Sequence, residues 1–265
     1  MLDVLLVGCG KMGSALARRW RETKMCRRLV IVDPAASLAS LITDEVPAFK
    51  SLPTGFTPQV IVLAVKPQTL SSTVHDYKTF STQGALTLSI AAGKPVSFFE
   101  THLGASAKIV RTMPNLPAAV GKGMTVAYAN PNVTDLEKDW ASMLMDAVGR
   151  VLWVEKESLL NPVTALSGSG PAYVFLLIEA LTKAGIHIGL EPGMAEKLAR
   201  QTRRGGYVLA EQSPSVSAAA LRESVTSPNG TTSAALEILM AEPAIQDLFN
   251  RALAAATKRA EELAK

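Results

Sequence analysis

Short runs of apolar, mostly β-branched residues alternate with amphipathic segments through the first 155 residues. The early runs are continuous rather than alternating, as in strands that are buried on both faces of a parallel sheet. Seven strands are predicted: Val4–Val7, Leu29–Val32, Val60–Val65, Leu86–Ile90, Lys108–Thr112, Thr125–Ala129 and Val151–Val154. Four helices are predicted between them: Ser14–Arg21, Pro67–Tyr77, Pro95–Leu103 and Thr134–Ala147. This alternation predicts an α/β fold with a doubly wound sheet.

Beyond residue 157 the strand-like runs vanish and only helical patterns remain. The predicted helices are Pro171–Ala184, Pro192–Glu211, Ser217–Ser224, Thr232–Met240 and Pro243–Leu263. The segment Ala172–Ile188 is apolar almost all round, which is typical of a helix buried on most faces. Because one small helical domain cannot cover such a helix alone, we expect a homodimer with interlocked helices. The chain is therefore predicted to have an α/β domain, residues 1–157, and an all-α dimerisation domain, residues 158–265.

Composition excludes several other classes of protein. Apolar residues make up 48% of the chain and charged residues 19%, which is incompatible with disorder. The aromatic share of 5% argues against base stacking, and the net charge of +4 is spread among acidic residues, so we expect no nucleic-acid partner. We find no apolar run of about 18 or more residues, the length of a membrane helix, and so expect no membrane partner. The two cysteines fit neither a metal site nor a disulfide framework, which favours a reducing cytoplasm.

A glycine pattern from Gly8 to Gly13 stands between the first predicted strand and the first predicted helix. In this setting it indicates a Rossmann dinucleotide-binding loop. Gly8 permits the turn, Gly10 lets the backbone approach a pyrophosphate, and Gly13 lets the helix pack against the strand. The helix start, which carries Lys11 and Met12, offers backbone amides to the phosphates. The alternative interpretation is a plain tight turn between a strand and a helix.

Asp33 ends the second predicted strand and bears on the choice of cofactor. A carboxylate there accepts hydrogen bonds from the ribose hydroxyls of NAD and repels the 2′-phosphate of NADP. From Pro34 to Phe49 there is no Lys or Arg to receive such a phosphate, so charge favours NAD over NADP. The alternative is a strand-end Asp that starts a turn with Pro34.

Three further strand-to-loop junctions are expected at the carboxyl edge of the sheet, where ligands bind in open α/β folds. They are Ala64–Gln68, Ser89–Gly93 and Arg111–Pro117. The cofactor contacts predicted on them are Ala64, Val65, Lys66, Pro67, Ala91, Met113, Pro114 and Asn115.

Two small-residue turns mark the helical half, Ala165–Tyr173 and Val225–Thr232. The amides and hydroxyls of the second can hold a carboxylate without a permanent positive charge, although both turns also fit ordinary helix caps. The three histidines, His75, His102 and His187, are isolated, so we predict no metal site. The chemistry is therefore expected to come from the cofactor, with the protein orienting it.

Together these segments resemble the pyrroline-5-carboxylate reductase family over nearly the whole chain. The resemblance implies hydride transfer from NADPH or NADH to the C=N carbon of 1-pyrroline-5-carboxylate, giving L-proline. It also implies a Rossmann domain, a helical dimerisation domain, and dimers that can assemble into rings. The substrate contacts it implies are Ser227, Asn229, Gly230, Thr231 and Thr232, with the Thr232 hydroxyl as proton donor near the ring nitrogen.

Two departures and two alternatives accompany this resemblance, and the first departure is that the segment Ser213–Ala220 lacks the family's frequent His-Pro pair. Asn229 stands where the family usually has a second glycine, and Asn tolerates positive φ better than other residues with a side chain. A β-hydroxyacid-type dehydrogenase would need a Lys or His on the central helix, and Ala172–Leu181 has neither. A non-catalytic dinucleotide-binding protein, redox-sensing or structural, would not need the carboxylate-binding turn Ser227–Thr232.

Overall fold

The computed structural model describes residues 1–33, 48, 49, 52 and 54–264. Its strands are β1 Leu2–Val7, β2 Cys26–Val32, β3 Ala48–Phe49, β4 Val60–Leu63, β5 Leu86–Ser89, β6 Ile109–Met113, β7 Gly123–Ala129 and β8 Gly149–Trp153. They form one sheet in the order β3-β2-β1-β4-β5-β6-β7-β8. All seven predicted strands are confirmed, with ends that differ by a few residues. The two-residue strand β3 was not predicted.

All neighbouring strands are parallel except β6 and β7, which are antiparallel. A parallel pair needs a crossover connection of about a dozen or more residues. The segment between β6 and β7 is shorter and holds only the 3₁₀ turn Leu116–Val120. The chain therefore returns directly alongside β6.

The helices beside the sheet are α1 Lys11–Glu22, α2 Pro67–Thr73, α3 Lys78–Thr82, α4 Val96–Leu103, α5 Asp135–Asp146 and α6 Leu160–Val163. The predicted single helix Pro67–Tyr77 is wrong, because α2 gives way to a 3₁₀ turn, Val74–Tyr77. The hydroxyls of Ser72 and Thr73 donate to the Thr69 carbonyl at 2.9 and 2.7 Å. Such bonds compete with the helical ladder and bend helices.

Apolar layers cover both faces of the sheet. Val4 and Leu6 of β1 pack into one layer, and Leu5 and Val7 pack into the other. Each of these four residues is at most 1% exposed, which is why β1 appears in the sequence as a continuous apolar run. The doubly wound fold class is confirmed.

Contacts divide the chain into two compact units. The first is Met1–Ser169 together with the chain from Ala255 onwards, and the second is Gly170–Ala254. The helices after the sheet are α7 Gly170–His187, α8 Pro192–Gln212, α9 Ala218–Ser224, α10 Thr231–Leu239 and α11 Ile245–Leu263, the last of which ends in the first unit. Before α7 lie a 3₁₀ turn, Glu157–Leu159, and a π-helical turn, Thr164–Gly168. The domain boundary at residue 157 stays a prediction.

Helix α7 presents large apolar side chains to the surface of the protomer. Phe175 is 56% exposed and Leu176 is 62% exposed. By length and composition the helical stretch Glu157–His187 could cross a membrane, and 11% of its apolar window is buried. Our expectation that no segment is apolar enough to cross a membrane is wrong when the mean hydropathy of the segment is the criterion. Its Ala, Val, Leu and Ile residues raise the mean hydropathy more than its small polar residues lower it. Helices at subunit interfaces have the same composition.

Candidate active site

The parallel strands end together and bring the predicted loops to one edge of the sheet. Val7, the last residue of β1, pairs with the last residues of β2 and β4. The next residues along each strand, Gly8, Asp33 and Ala64, therefore lie side by side. Strand β5 ends next to β4 at Ser89. The strand order reverses between β1 and β4, and ligands of open α/β sheets bind at such a point.

A crevice of about 620 Å³ opens at this reversal. Small-molecule sites typically occupy about 300–1,000 Å³, so its size suits a cofactor. The predicted contacts that line it are Gly8, Gly10, Asp33, Ala64, Val65 and Lys66. Residues 34–47, on which part of the charge argument for NAD depends, lie outside the described residues.

The three glycines of the loop have different surroundings. Gly8 has φ +93°, and a Cβ there would lie 2.8 Å from Val65 Cγ1. A Cβ at Gly13 would lie only 2.2 Å from the Gly8 carbonyl oxygen, so these two glycines are required by the packing of the protein itself. A Cβ at Gly10 would meet nothing within 4 Å. The space beside Gly10 is therefore open to a ligand, as a pyrophosphate requires.

Helix α1 starts with unfilled hydrogen-bonding capacity. Its N-cap is Gly10, no side chain caps it, and its first turn has no acidic residue. The first amides of a helix have no intrahelical partner, and they carry the positive end of the helix dipole. The residues at this start, Lys11 and Met12, thus fit the phosphates of a dinucleotide.

Asp33 is bonded to the glycine loop. Its Oδ2 accepts a hydrogen bond from the Cys9 amide at 2.5 Å, which ties the loop to the end of β2. Burial and the negative charge of Asp33 raise the pKa of the Cys9 thiol to about 11. Cys9 is therefore a neutral thiol at physiological pH and not a nucleophile. The ribose contact of Asp33 stays a prediction.

Asn115, on the loop after β6, has its side chain engaged within the protein. Its Oδ1 accepts the Met124 amide at 2.8 Å, and its Nδ2 donates to the Ser167 carbonyl at 3.2 Å. A Cβ at Gly168 would lie 2.6 Å from Met113 Cε, so this loop packs closely on the π-helical turn. A cofactor contact of Asn115 is thereby left to its backbone.

The loop after β5, which carries Ala91, is fixed at both ends. At its start the Ser89 hydroxyl accepts the Ala91 amide at 3.2 Å. At its end Glu157 Oε1 accepts the Val96 amide at 2.7 Å and pairs with Arg111 at 2.5 Å. Sequence reasoning missed Glu157, because no local pattern links it to partners 46 and 61 residues away.

The predicted substrate turn lies in the second unit. Asn229 has φ +57°, so the turn persists with Asn in place of Gly, as expected. The Gly230 amide donates to the Ser227 carbonyl at 3.1 Å and is not open to a ligand. Gly230 is the N-cap of α10, which no side chain caps. The amides of Thr231 and Thr232 follow at the helix start, where amides have no intrahelical partner.

Comparison with known proteins identifies the family. Residues 157–263 match a family model described as pyrroline-5-carboxylate reductase dimerisation, and residues 3–93 match one described as NADP oxidoreductase, coenzyme F420-dependent. A pyrroline-5-carboxylate reductase of Pseudomonas aeruginosa is 42% identical over 206 residues, which cover 78% of this chain and 75% of that protein. This chain belongs to the pyrroline-5-carboxylate reductase family.

Solved structures of pyrroline-5-carboxylate reductases share the whole fold. The structure from Coxiella burnetii has a TM-score of 0.93 at 33% identity and covers 100% of this chain and 99% of its own. The structure from Plasmodium falciparum, which has NADP bound, has a TM-score of 0.83 at 27% identity and covers 100% and 98%. The resemblance inferred from the sequence motifs is thereby confirmed.

Proposed function

We propose that this chain reduces 1-pyrroline-5-carboxylate to L-proline, the last step of proline biosynthesis. The observation that carries this is family membership across the chain, joined to a glycine loop whose Gly10 faces open space in a crevice of suitable size. When bound, the reduced nicotinamide of NADPH or NADH supplies the hydride that ends on the imine carbon. Addition of a proton to the ring nitrogen completes the reduction.

The cofactor is proposed to bind along the carboxyl edge of the sheet. The amides at the start of α1 hold the pyrophosphate, and Asp33 accepts hydrogen bonds from the adenosine ribose. The residues proposed to line the rest of the cofactor site are Ala64, Val65, Lys66, Pro67, Ala91, Met113, Pro114 and Asn115. The hydrogen bonds of Ser89 and Glu157 constrain both ends of the Ala91 loop, which reduces the ordering needed on binding.

The substrate is proposed to bind at the turn before α10. The amides of Thr231 and Thr232 hold its carboxylate, since the Gly230 amide is already bonded. Ser227 and Asn229 give the turn its shape. The Thr232 hydroxyl donates a hydrogen bond to the ring nitrogen and serves as proton donor. A protonated imine accepts hydride readily, so the main work of these residues is to position it.

We propose that the chain forms a homodimer through the apolar face of α7 and that these dimers can assemble into a ring. Phe175 and Leu176 are large apolar side chains that are more than half exposed, and exposed apolar patches mark protein–protein interfaces. Two free thiols, Cys9 and Cys26, support a reducing cytoplasm as the compartment. The partner in catalysis is the imino acid, and we propose no role for nucleic acid or membrane.

The test is an assay of proline formation from pyrroline-5-carboxylate with NADH and with NADPH. Thr232→Val keeps the shape of the residue and removes its hydroxyl, so kcat should fall by about a hundredfold if the hydroxyl is the proton donor. Thr232→Ser keeps the hydroxyl and should stay within a few-fold of the wild type. Both variants should bind the cofactor normally.

Two results would overturn the proposal. Tight dinucleotide binding without proline formation would favour the non-catalytic alternative. Oxidation of a β-hydroxyacid without reduction of the imine would favour a β-hydroxyacid-type dehydrogenase.

A further inference from the structure

We propose that Asp76 acts with Asp33 as a specificity-determining residue, so that the enzyme favours NADH over NADPH. This inference rests on the proposed function for the identity of the cofactor. It concerns a residue that lies 43 positions from Asp33 in the sequence and outside any recognised motif.

Asp76 belongs to the rim of the cofactor crevice. It lies in the 3₁₀ turn Val74–Tyr77, and Asp76 and Tyr77 of this turn line the crevice together with Asp33 and the glycine loop. The turn is anchored by Val74, which is fully buried, and by Tyr77, which is 4% exposed. Asp76 is thus carried on a turn that two buried side chains anchor.

Of the two residues of this turn that line the crevice, only Asp76 carries a charge, and the exposed His75 of the same turn is not part of the lining. Burial, together with the negative charge of Asp76, raises the pKa of the Tyr77 phenol to about 12. The phenol is therefore neutral under physiological conditions.

The balance of charge in the described lining is acidic. The described lining contains two carboxylates, Asp33 and Asp76, and one cation, Lys66. The bond from the Cys9 amide holds Asp33 in place, so the carboxylate cannot turn away without freeing the glycine loop. A 2′-phosphate brings about −1.5 to −2 charges into this lining, whereas the ribose hydroxyl of NADH donates hydrogen bonds to a carboxylate.

We expect the two carboxylates to affect cofactor preference by different amounts. Asp33 lies at the strand end that a ribose reaches, and its removal should improve NADPH use relative to NADH by about tenfold. Asp76 is exposed, so water screens its charge, and its removal should change the ratio by about three- to fivefold. Screening also predicts that the preference of the wild type for NADH over NADPH becomes smaller as the salt concentration increases.

The experiment compares the wild type with Asp33→Asn, Asp76→Asn and the double variant. The Kd values of NADH and NADPH are measured by calorimetry at 0.05 M and 0.5 M salt (about 14 and 4 Å of Debye length), and kcat/KM is measured with pyrroline-5-carboxylate. Asp139→Asn is the matched control, since it removes an exposed carboxylate from α5, which packs against β8 at the other end of the sheet.

We expect the wild type to prefer NADH and each single variant to weaken that preference. The double variant should weaken it by about the product of the two single effects. Asp139→Asn should leave the ratio unchanged. A wild type that binds NADPH more tightly, or an Asp76→Asn ratio equal to that of Asp139→Asn, would overturn the inference. The Kd ratios remain readable even if no proline forms, so failure of the proposed function is distinguished from failure of this inference.

Discussion

Alanine at Gly10 and alanine at Gly13 perturb the same loop in two different ways. A Cβ at Gly13 would lie 2.2 Å from the Gly8 carbonyl oxygen, so the helix or the turn must move by about 1 Å to restore normal contact. Such overpacking costs about 1–3 kcal/mol of unfolding free energy. At Gly10 the new methyl group would contact no protein atom within 4 Å, and φ is −69°.

The stability of Gly10→Ala should stay close to that of the wild type. Replacing Gly with Ala at a compatible φ stabilises by about 0.4–1 kcal/mol through the unfolded chain. Gly10 is the N-cap of α1, where Ala is less favourable than Gly by several tenths of a kcal/mol. These two effects offset each other. The methyl group does occupy the space that a pyrophosphate needs, so the Kd of NADH should rise by about tenfold or more.

Thermal unfolding and calorimetric binding of NADH separate the two effects. Gly13→Ala should lower the Tm by about 2–8 °C and weaken binding as well. Gly10→Ala should change the Tm by less than about 2 °C and weaken binding alone. Gly205→Ala, within α8 and also without atoms in reach of its Cβ, is the matched control and should bind NADH normally. Wild-type binding by a stable Gly10→Ala variant would refute the assignment of the phosphates to this loop.

Two further predictions concern stability and assembly. Hydrogen bonds from Arg27 and Arg28 hold the pKa of the buried Asp3 carboxyl well below its ordinary value of 3.8. The stabilisation that the ionised carboxylate gives the folded state is therefore complete above about pH 5 and is lost as pH falls further. Asp3→Asn should lower the unfolding free energy at pH 7 by about 2 kcal/mol in urea titrations and flatten the decline below about pH 5; an unchanged acid profile would contradict this. Leu176→Glu should shift the protein toward monomer in size-exclusion light scattering, whereas the surface control Gln83→Glu should not. A Leu176→Glu variant that stays fully dimeric would place the interface elsewhere.

Local pattern was sufficient for most of the fold. The buried runs of β1 and β4 predicted strands covered on both faces, and the helix starts at Pro67 and Pro192 follow from proline at the first helical turn. The break at Val74 could not be read from periodicity, because it reflects side-chain bonds to the Thr69 carbonyl. The return of α11 to the first unit depends on contacts far apart in the sequence.

The candidate site likewise has parts that local sequence predicts and parts that only the folded structure shows. The glycine loop and the turn before α10 are contiguous in sequence, and motif spacing revealed both. Asn115 shows what spacing cannot reveal, since its side chain bonds to Ser167, 52 residues away. Asp76 likewise lines the crevice from a 3₁₀ turn that the hydrophobic periodicity did not predict. Long-range partners of this kind are set by packing and not by local sequence.

The central claim is hydride transfer to the imine carbon of pyrroline-5-carboxylate, and isotope transfer tests it most directly. The purified protein is supplied with pyrroline-5-carboxylate and with NADH or NADPH in which both hydrogens on nicotinamide C4 are replaced by deuterium, and the product is analysed by mass spectrometry and NMR. The account predicts L-proline with one deuterium at the former imine carbon and none elsewhere. Proline without deuterium, or no proline with either cofactor, would contradict it.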